Sequence, residues 1–315
     1  MGIFIQLPEC NSLRKRRPSR LSRKLLNAVF LAIVLIFWFF GGVLWMSFED
    51  KDLGTGATAI DLKAAMVGVN NLVIVTCHAI WLGGPTAGEN EAEWAIEPFQ
   101  KGETVTFIQH IEKGIEIALQ DPESLLVFSG GETKASVGPI SEADGYFDLA
   151  AARNLLPPSL LTRTTTEKSA TDSYQNVLFS IARFHEVTGS YPKLVTVISH
   201  DFKRDRFQQL HRASLRYPEE RFRFVGIDPD WEKTVSIKEE TLKSEGMTRK
   251  AWEIDPYACA ENGELKTKRR ARNPWRRVNS YSTSCPELKG LLSWCGLGGV
   301  PSELHIYPGM LPWLK

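Results

Sequence analysis

Short, continuous runs of apolar residues alternate with longer amphipathic segments through the middle of the chain. A strand whose residues are apolar on both faces is typical of a parallel sheet that helices cover on either side. The runs therefore predict five buried strands in one mostly parallel sheet. They lie at 72–76 (LVIVT), 125–128 (LLVF), 161–165, 194–199 (LVTVIS) and 222–227.

The segments between these runs carry apolar residues at helical spacing, which predicts helices at 104–120, 141–155, 173–188 and 202–217. Ser141 and Asp144 form a capping arrangement at the start of one helix, and Gly189 ends another. Strands and helices that alternate in this way indicate an α/β fold. We predict a Rossmann-like three-layer sandwich over residues 71–228.

Residues 25–46 form an apolar segment near the N-terminus. These 22 residues carry no charge, and Asn27 is the one clearly polar side chain. About 20 apolar residues span the hydrocarbon core of a bilayer, so we predict a retained transmembrane helix at 25–48 with the lipid bilayer as its partner. A cleaved signal peptide would have a shorter apolar region that ends in small residues. A buried helix would not be expected directly after so many basic residues.

The charges on the two sides of this segment predict its orientation. Residues 1–24 carry seven basic side chains, whereas Lys51 is the one basic residue that follows the segment closely. The positive-inside rule places such a tail in the cytoplasm. The body is then expected to be lumenal, in the endoplasmic reticulum or Golgi, or extracellular, and 49–70 is interpreted as a stalk. The chain has no Asn-x-Ser/Thr sequon, which weighs weakly against this placement.

Charge and cysteine content narrow the possible functions. Outside the basic tail, 31 basic residues stand against 36 acidic ones. This balance does not favour nucleic acid as a partner, because nucleic-acid binders concentrate positive charge. The five cysteines include no CxxC pair, which argues against a zinc or thioredoxin-like site of that kind. Cys285 and Cys295 either form a disulfide or remain free thiols, and the sequence leaves both open.

The alternating pattern weakens after residue 228. We predict that residues 229–315 form an irregular C-terminal extension that packs on the α/β domain. The extension contains a basic stretch, KTKRRARNPWRR at 266–277, which we interpret as solvated surface.

Ligands of open parallel sheets bind beyond the carboxyl ends of the strands, so the polar residues after each strand are the site candidates. Gly83 and Gly84 follow the first strand, where they either present N–H groups to an anion or form a plain turn. Ser129, Gly130 and Gly131 follow the second strand, and they fit either a phosphate-binding turn or an ordinary α/β turn. No GxGxxG fingerprint or P-loop is present.

Further polar groups follow the third strand and open the second helix. Glu142 lies on a first helical turn, where it either stabilises the helix dipole or acts as a base or hydroxyl acceptor. The polar run after the third strand could offer several groups to one ligand, with Thr171 or Ser173 also capping the next helix. The expected ligand contacts in that run are Glu167, Ser169, Thr171 and Asn176.

Ser199 and His200 end the fourth strand, and Arg204 and Arg206 follow them. Arginines in this position indicate recognition of a phosphate or another anion. An unperturbed histidine has a pKa near neutrality, so His200, together with Glu142, is a candidate acid–base catalyst. No GxSxG elbow supports an α/β-hydrolase mechanism. No cluster of His, Asp and Glu stands out, and no tightly bound metal is expected.

In their order along the chain, these motifs resemble the YdcF/SanA/ElyC-like family, a domain of unknown function. Three features of the chain resemble the fungal branch of this family. They are the HDFKRDRF motif that begins at His200, the N-terminal anchor and the CPELKGLL…WCG tail. The resemblance implies a Rossmann-like domain with a polar pocket at the strand ends, a link to envelope or endomembrane metabolism, and a nucleotide-like or phosphorylated ligand. The matching motifs are Gly83-Gly84, Ser129-Gly130-Gly131, Ser141-Glu142-Ala143, Glu167/Ser169/Thr171/Asn176 and Ser199-His200 with Arg204 and Arg206.

Three functions fit these observations. The first is a hydrolase or transferase that acts on a small anionic ligand at a membrane surface. The second is a ligand-binding or sensing module of the secretory pathway that has no turnover. The third, a structural membrane protein with a vestigial pocket, is disfavoured because the charged members of the site are still present.

Overall fold

A computed structural model describes residues 66–232, 235–296 and 306–315 of the chain. The predicted tail at 1–24, the transmembrane segment at 25–48 and the stalk up to residue 65 lie outside the described residues, so all three stay predictions. Within the described ranges, every helix is too short or too polar to cross a bilayer.

The centre of the fold is a sheet of five parallel strands in the order β5-β4-β1-β6-β7. A separate antiparallel hairpin pairs β2 with β3. The predicted α/β fold with a mostly parallel sheet is confirmed. The strands are β1 Asn71–Thr76, β2 Ile80–Trp81, β3 Trp94–Ala95, β4 Ser124–Ser129, β5 Thr164–Glu167, β6 Leu194–Ser199 and β7 Phe222–Gly226.

Helices cover both faces of the sheet because the strands are apolar on both sides. Leu72 and Ile74 of β1 pack in one core, whereas Val73 and Val75 pack in another core on the opposite face. The helices are α1 Thr104–Gln120, α2 Glu142–Ala152, α3 Pro158–Leu161, α4 Ser173–Thr188, α5 Arg212–Ser214, α6 Val235–Ile254, α7 Glu264–Ala271, α8 Tyr281–Ser284 and α9 Lys289–Leu292.

Successive strands are added to one side of β1 first and to its other side afterwards, so the strand order reverses between β1 and β6. From β1 the chain moves outward through β4 to β5, then crosses back to β6 and continues to β7 on the other side. Loops at the carboxyl ends of β1 and β6 therefore diverge, and a crevice opens between them. This reversal determines where a ligand can enter the sheet.

Local signals predicted several element ends correctly. The side chain of Ser141 accepts a hydrogen bond from the Asp144 N–H and caps α2. Gly189 follows α4 with a φ of 74°, the left-handed conformation that ends many helices. The cap of α4 differs from the prediction, because Asp172 rather than Thr171 or Ser173 accepts from the Gln175 N–H.

Two elements differ from their predicted form. The helix predicted at 202–217 is a 3₁₀ turn at Asp201–Lys203, a π-helical segment at Arg206–His211 and the short α5. The strand predicted at 161–165 begins at Thr164, because Pro158 opens the helical turn α3 before it. Proline favours a first helical turn, where its missing N–H has no hydrogen-bond partner to lose.

The C-terminal extension is more ordered than predicted. It contains the 20-residue helix α6, and it adds Trp252, Tyr281 and Leu288 to the core on the α4 side of the sheet. Its disulfide also differs from the pair considered above. Cys259 joins Cys295, whereas Cys285 is a free, buried thiol.

Candidate functional site

A cavity of about 600 Å³ lies at the carboxyl ends of β1 and β6, where the direction of the sheet reverses. Thr76, Cys77 and His78 reach it from the end of β1, and His200 reaches it from the end of β6. Helix α6 of the C-terminal extension forms a further wall through Glu240, Thr241, Ser244, Glu245, Thr248 and Trp252. The extension thus completes a site whose base is built by the sheet.

Three histidines cluster beside the cavity. The imidazole ring centroids of His78 and His200 are 4.5 Å apart, and those of His110 and His200 are 4.8 Å apart. The nitrogen atoms that the three rings offer all lie within 4.8 Å of one another. The sequence predicts no tightly bound metal because no cluster of His, Asp and Glu stands out along it. The folded chain brings three histidines together, so that prediction loses its basis.

Each histidine owes its place to a different element. His78 follows the end of β1 by two residues, and His200 directly follows β6. His110 lies on α1 two turns after the N-cap residue Glu103, a spacing that places the two side chains on the same side of the helix. The carboxylate of Glu103 lies 3.5 Å from Nε2 of His200.

Burial keeps the three imidazoles neutral. Desolvation lowers the pKa of His110 to about 4, and it lowers the pKa of His78 and of His200 well below the usual range. Lys203 contributes to all three shifts through its positive charge. A second proton on any of these rings is therefore disfavoured near neutral pH.

A group of basic side chains forms another part of the cavity wall. Lys203 and Arg206 come from the segment after β6, and Arg272 comes from the end of α7. Arg206 is buried and pairs with Glu245 at 3.0 Å. Desolvation, with the nearby charge of Arg206, lowers the pKa of Lys203 to about 8. Desolvation is the larger of these two causes, and the positive charge of Arg206 adds to it.

Glu142 lines the cavity and accepts a hydrogen bond from the hydroxyl of Thr133. Burial raises the pKa of its carboxyl group, against the opposing effects of Thr133 and of the positive charge on Arg272. A carboxyl group in this environment takes up a proton more readily than one in water and can serve as a general acid.

Five of the predicted site residues line this cavity, and they come from three separate chain segments. Thr171 and Asn176 flank the start of α4, and Thr171 accepts from Arg272 through its backbone oxygen. Asn176 donates from its side chain to the backbone oxygen of Ser129 over 2.8 Å. The five are Glu142, Thr171, Asn176, His200 and Arg206.

The Ser-Gly-Gly turn after β4 does not form the expected phosphate nest. The Gly130 N–H donates to the backbone oxygen of Glu167, and the Gly131 N–H donates to that of Ala170. Both donors are therefore used within the protein. A side chain on Gly130 would come within 2.8 Å of Glu142, so close packing explains the glycine there.

Glu167 is a structural carboxylate rather than a ligand contact. It is 1% exposed and accepts from the hydroxyls of Ser129 and Tyr281 and from the N–H groups of Ser169 and Ala170. These four donors occupy both carboxylate oxygens. Ser129 and Ser169, which were also predicted to bind the ligand, are thus partners of Glu167 and do not line the cavity.

The glycine pair after β1 also serves the chain itself. Glu93 accepts hydrogen bonds from the N–H groups of Thr86 and Gly88, both at 2.8 Å, and its carboxyl group packs against Gly84. Desolvation would raise the pKa of Glu93, but these donors outweigh it and lower the pKa to about 2. Neither Gly83 nor Gly84 lines the cavity, and Gly84 leaves room for the internal carboxylate of Glu93.

Two predicted residues at and after the end of β6 do not line the cavity. Arg204 donates to Asp201 and to the backbone oxygen of Phe224, and its guanidinium packs over the Phe224 ring. Ser199 is fully buried, and its hydroxyl lies 3.4 Å from Nε2 of His78. Ser199 therefore contacts the histidine cluster without lining the cavity.

Sequence reasoning missed several residues of the site. Glu103 directly precedes the helix predicted at 104–120 and His110 lies seven residues later, a spacing of two helical turns that was an available signal. Lys203 directly precedes Arg204 in a segment that the sequence analysis singles out, and Arg272 lies in the basic stretch that it interprets as solvated surface. That interpretation also fails for Arg269, which pairs with Asp172 at 2.6 Å. The contribution of α6 carried no sequence signal.

Comparison with known proteins gives one informative similarity. The chain is 29% identical over 262 residues to the protein named "Uncharacterized protein YOR238W" from Saccharomyces cerevisiae, an alignment that covers 67% of this chain and 86% of that relative. No family model matches the chain. No solved structure matches it.

Proposed function

We propose that the chain is a single-pass membrane protein whose YdcF-like α/β domain binds a small phosphorylated or nucleotide-like anion in this cavity. The position of the cavity supports the proposal, because open parallel sheets bind their ligands where the strand order reverses. The volume of about 600 Å³ lies within the usual range for small-molecule sites.

The side chain of Lys203 is the observation that carries the proposal. Lys203 lines the cavity wall together with Arg206. The carboxylates of Glu245 and Glu103 act on its charge, but their effect is smaller than that of desolvation and of Arg206. Crowded, poorly solvated positive charge is costly. A phosphate group between Lys203, Arg206 and Arg272 would offset that cost.

The remaining lining fits the rest of a nucleotide-like ligand. Glu142 and the hydroxyl of Thr171 offer hydrogen-bonding groups for sugar hydroxyls. Phe99 lines the cavity, although 66% of it is exposed, and its ring offers a face on which a base could stack. Polar groups next to an aromatic ring match the two halves of such a ligand.

Glu142 is the better placed of the two candidate catalysts. Its raised pKa suits a general acid that would protonate a leaving oxygen in a hydrolase or transferase. The alternative is a non-catalytic sensing module of the secretory pathway, which would use the same cavity. Binding of a ligand without formation of a product would favour that alternative.

The placement of the domain outside the cytoplasm belongs to this proposal. It rests on the apolar run at 25–48 and on the basic residues that precede it. The disulfide between Cys259 and Cys295 supports it, because disulfides persist in the oxidising secretory pathway and are rare in the cytosol.

A thermal-shift screen tests ligand binding directly. The full-length protein in detergent would be screened against nucleotides, nucleotide sugars, sugar phosphates and S-adenosylmethionine, since a ligand of the native state raises the melting temperature. We expect a shift that Lys203→Gln removes.

Lys193→Gln is the matched control. Lys193 is exposed and precedes β6, at the opposite end of the strand that Lys203 follows. It should leave the shift intact. No shift with any compound, or an equal loss in both variants, would refute binding of an anion at this wall.

A further inference from the structure

We propose that His78, His110 and His200 form a binding site for a divalent transition-metal ion of the zinc type, with Glu103 beside it. This inference is independent of the anionic ligand proposed above. A protein that binds the metal ion but no anion would support the metal site and refute only the anion site. Histidine nitrogen and carboxylate oxygen are both established ligands of zinc.

Hydrogen bonding within the described residues leaves one ring nitrogen of His110 and both ring nitrogens of His200 without a partner. Nε2 of His110 donates to the backbone oxygen of Ile227 over 2.9 Å, which leaves the lone pair on Nδ1. That Nδ1 is buried and makes no hydrogen bond within the described chain. A histidine that ligates a metal through one nitrogen commonly donates from the other to a backbone carbonyl in this way.

His200 is the second unsatisfied member. It is 1% exposed, and neither of its ring nitrogens has a hydrogen-bond partner among the residues that the structure describes. Buried polar atoms without partners cost folding free energy. Apolar rings would pack beside Phe107 without that cost, so aromatic packing alone does not account for three imidazoles at this place.

The geometry is close to that of a bound ion and requires a modest contraction. The nitrogen atoms lie within 4.8 Å of one another, whereas ligand nitrogens around a tetrahedral zinc stand about 3.4 Å apart. Rotation of the histidine side chains would close this gap. Glu103, with an oxygen 3.5 Å from His200, is near enough to join the coordination or to balance the charge of the ion.

Three neutral imidazoles without a thiolate favour zinc and related ions over magnesium or calcium, which prefer oxygen ligands. His200 would then be a metal ligand rather than the acid–base catalyst predicted from the sequence. A metal with an open coordination position would supply a Lewis acid next to the cavity. Glu142 would remain as the group that exchanges protons.

Metal content of the purified protein is the direct test. The full-length chain, carrying an affinity tag without histidine, would be stripped with chelator, loaded with Zn²⁺ and dialysed. We expect one zinc per chain, and an affinity loss of at least about tenfold in His110→Gln. His185→Gln is the control, because His185 is a partly buried histidine that lies outside the cluster.

Loading with Co²⁺ provides a second measurement that requires no variant. Histidine ligands in a tetrahedral site give bound Co²⁺ a visible absorption spectrum that aqueous Co²⁺ lacks, and Zn²⁺ should abolish it by competition. Absence of stoichiometric metal with both ions would overturn the proposal. The proposal would also be overturned if a folded His110→Gln protein retained the metal while the His185→Gln protein lost it.

Discussion

The side-chain hydroxyl of Thr76 donates a hydrogen bond to the side-chain hydroxyl of Ser199 over 2.8 Å. Thr76 ends β1 and Ser199 ends β6, and both side chains are buried. The bond therefore joins two strands at the point where their loops diverge. His78 and His200 follow these two strand ends, so the bond links the positions from which both histidines reach the cavity.

Arg206 and Arg204 should differ in their effect on ligand binding. Arg206 lines the cavity, whereas Arg204 donates to Asp201 outside it. Loss of a hydrogen bond from a charged group costs about 1.5 kcal/mol or more, so Arg206→Gln should raise the Kd of the ligand at least about tenfold. Arg204→Gln should leave the Kd nearly unchanged. Titration of both folded variants by calorimetry decides, and equal effects would contradict the assigned cavity wall.

Glu93 should make the stability of the protein sensitive to acid. Its folded-state pKa of about 2 lies below the ordinary value of 4.5, so its contribution is present above pH 4.5 and is lost as the pH falls toward 2. Glu93→Gln should melt at a lower temperature at neutral pH, and the difference should shrink over this window. Glu89→Gln, which changes an exposed carboxylate, is the control. A difference that stays constant with pH would be inconsistent with the depressed pKa.

Gly130 and Gly246 should respond in opposite directions to alanine. A Cβ on Gly130 would meet Glu142 at 2.8 Å and Cys77 at 2.9 Å, and overpacking of this kind costs about 1–3 kcal/mol. Gly246 lies in α6 with open space around it, so Gly246→Ala should stabilise the protein by about 0.5–1 kcal/mol. Chemical denaturation measures both values. A neutral Gly130→Ala would show that this turn is not tightly packed.

A new glycosylation site tests which side of the membrane the domain occupies. Glu264→Thr creates an Asn-Gly-Thr sequon that begins at the exposed Asn262. The substitution also removes the partly exposed ion pair with Lys268, which is worth about 0.2–0.5 kcal/mol. We expect a glycosidase-sensitive increase in mass when this variant is expressed in eukaryotic cells. The same variant with Asn262→Gln should show none, and an unmodified Glu264→Thr protein would argue for a cytoplasmic domain.

Periodicity predicted the elements whose interactions are local. The limits of α4 and β6 agree with the prediction because helical spacing, a terminal glycine and a continuous apolar run specify them within a few residues of sequence. The segment after β6 was harder to predict. A π-helical turn at Arg206–His211 differs from an α-helix by one step of hydrogen-bond register, and the burial of Arg206 and His211 accompanies it.

The polar composition of α6 concealed a helix that the tertiary structure supports. Much of its surface is exposed, so its apolar spacing is weak. Its contacts with the rest of the domain include the pair of Glu245 with Arg206 and the burial of Trp252. Polar groups after strands were likewise visible in the sequence, but their roles were not. Glu167 and Glu142 follow similar signals, yet four internal donors satisfy Glu167 whereas Glu142 faces the cavity.

Apolar spacing along the chain was enough to specify the α/β class, the parallel sheet and the edge of that sheet at which polar residues collect, because each of these follows from a local pattern. Which of those residues share a cavity was settled by the folded arrangement, which brings His78, His110 and His200 together with Lys203 and Arg272. That arrangement depends on strand order, helix orientation and the packing of the C-terminal extension. These interactions join distant segments, and no local pattern in the chain encodes them.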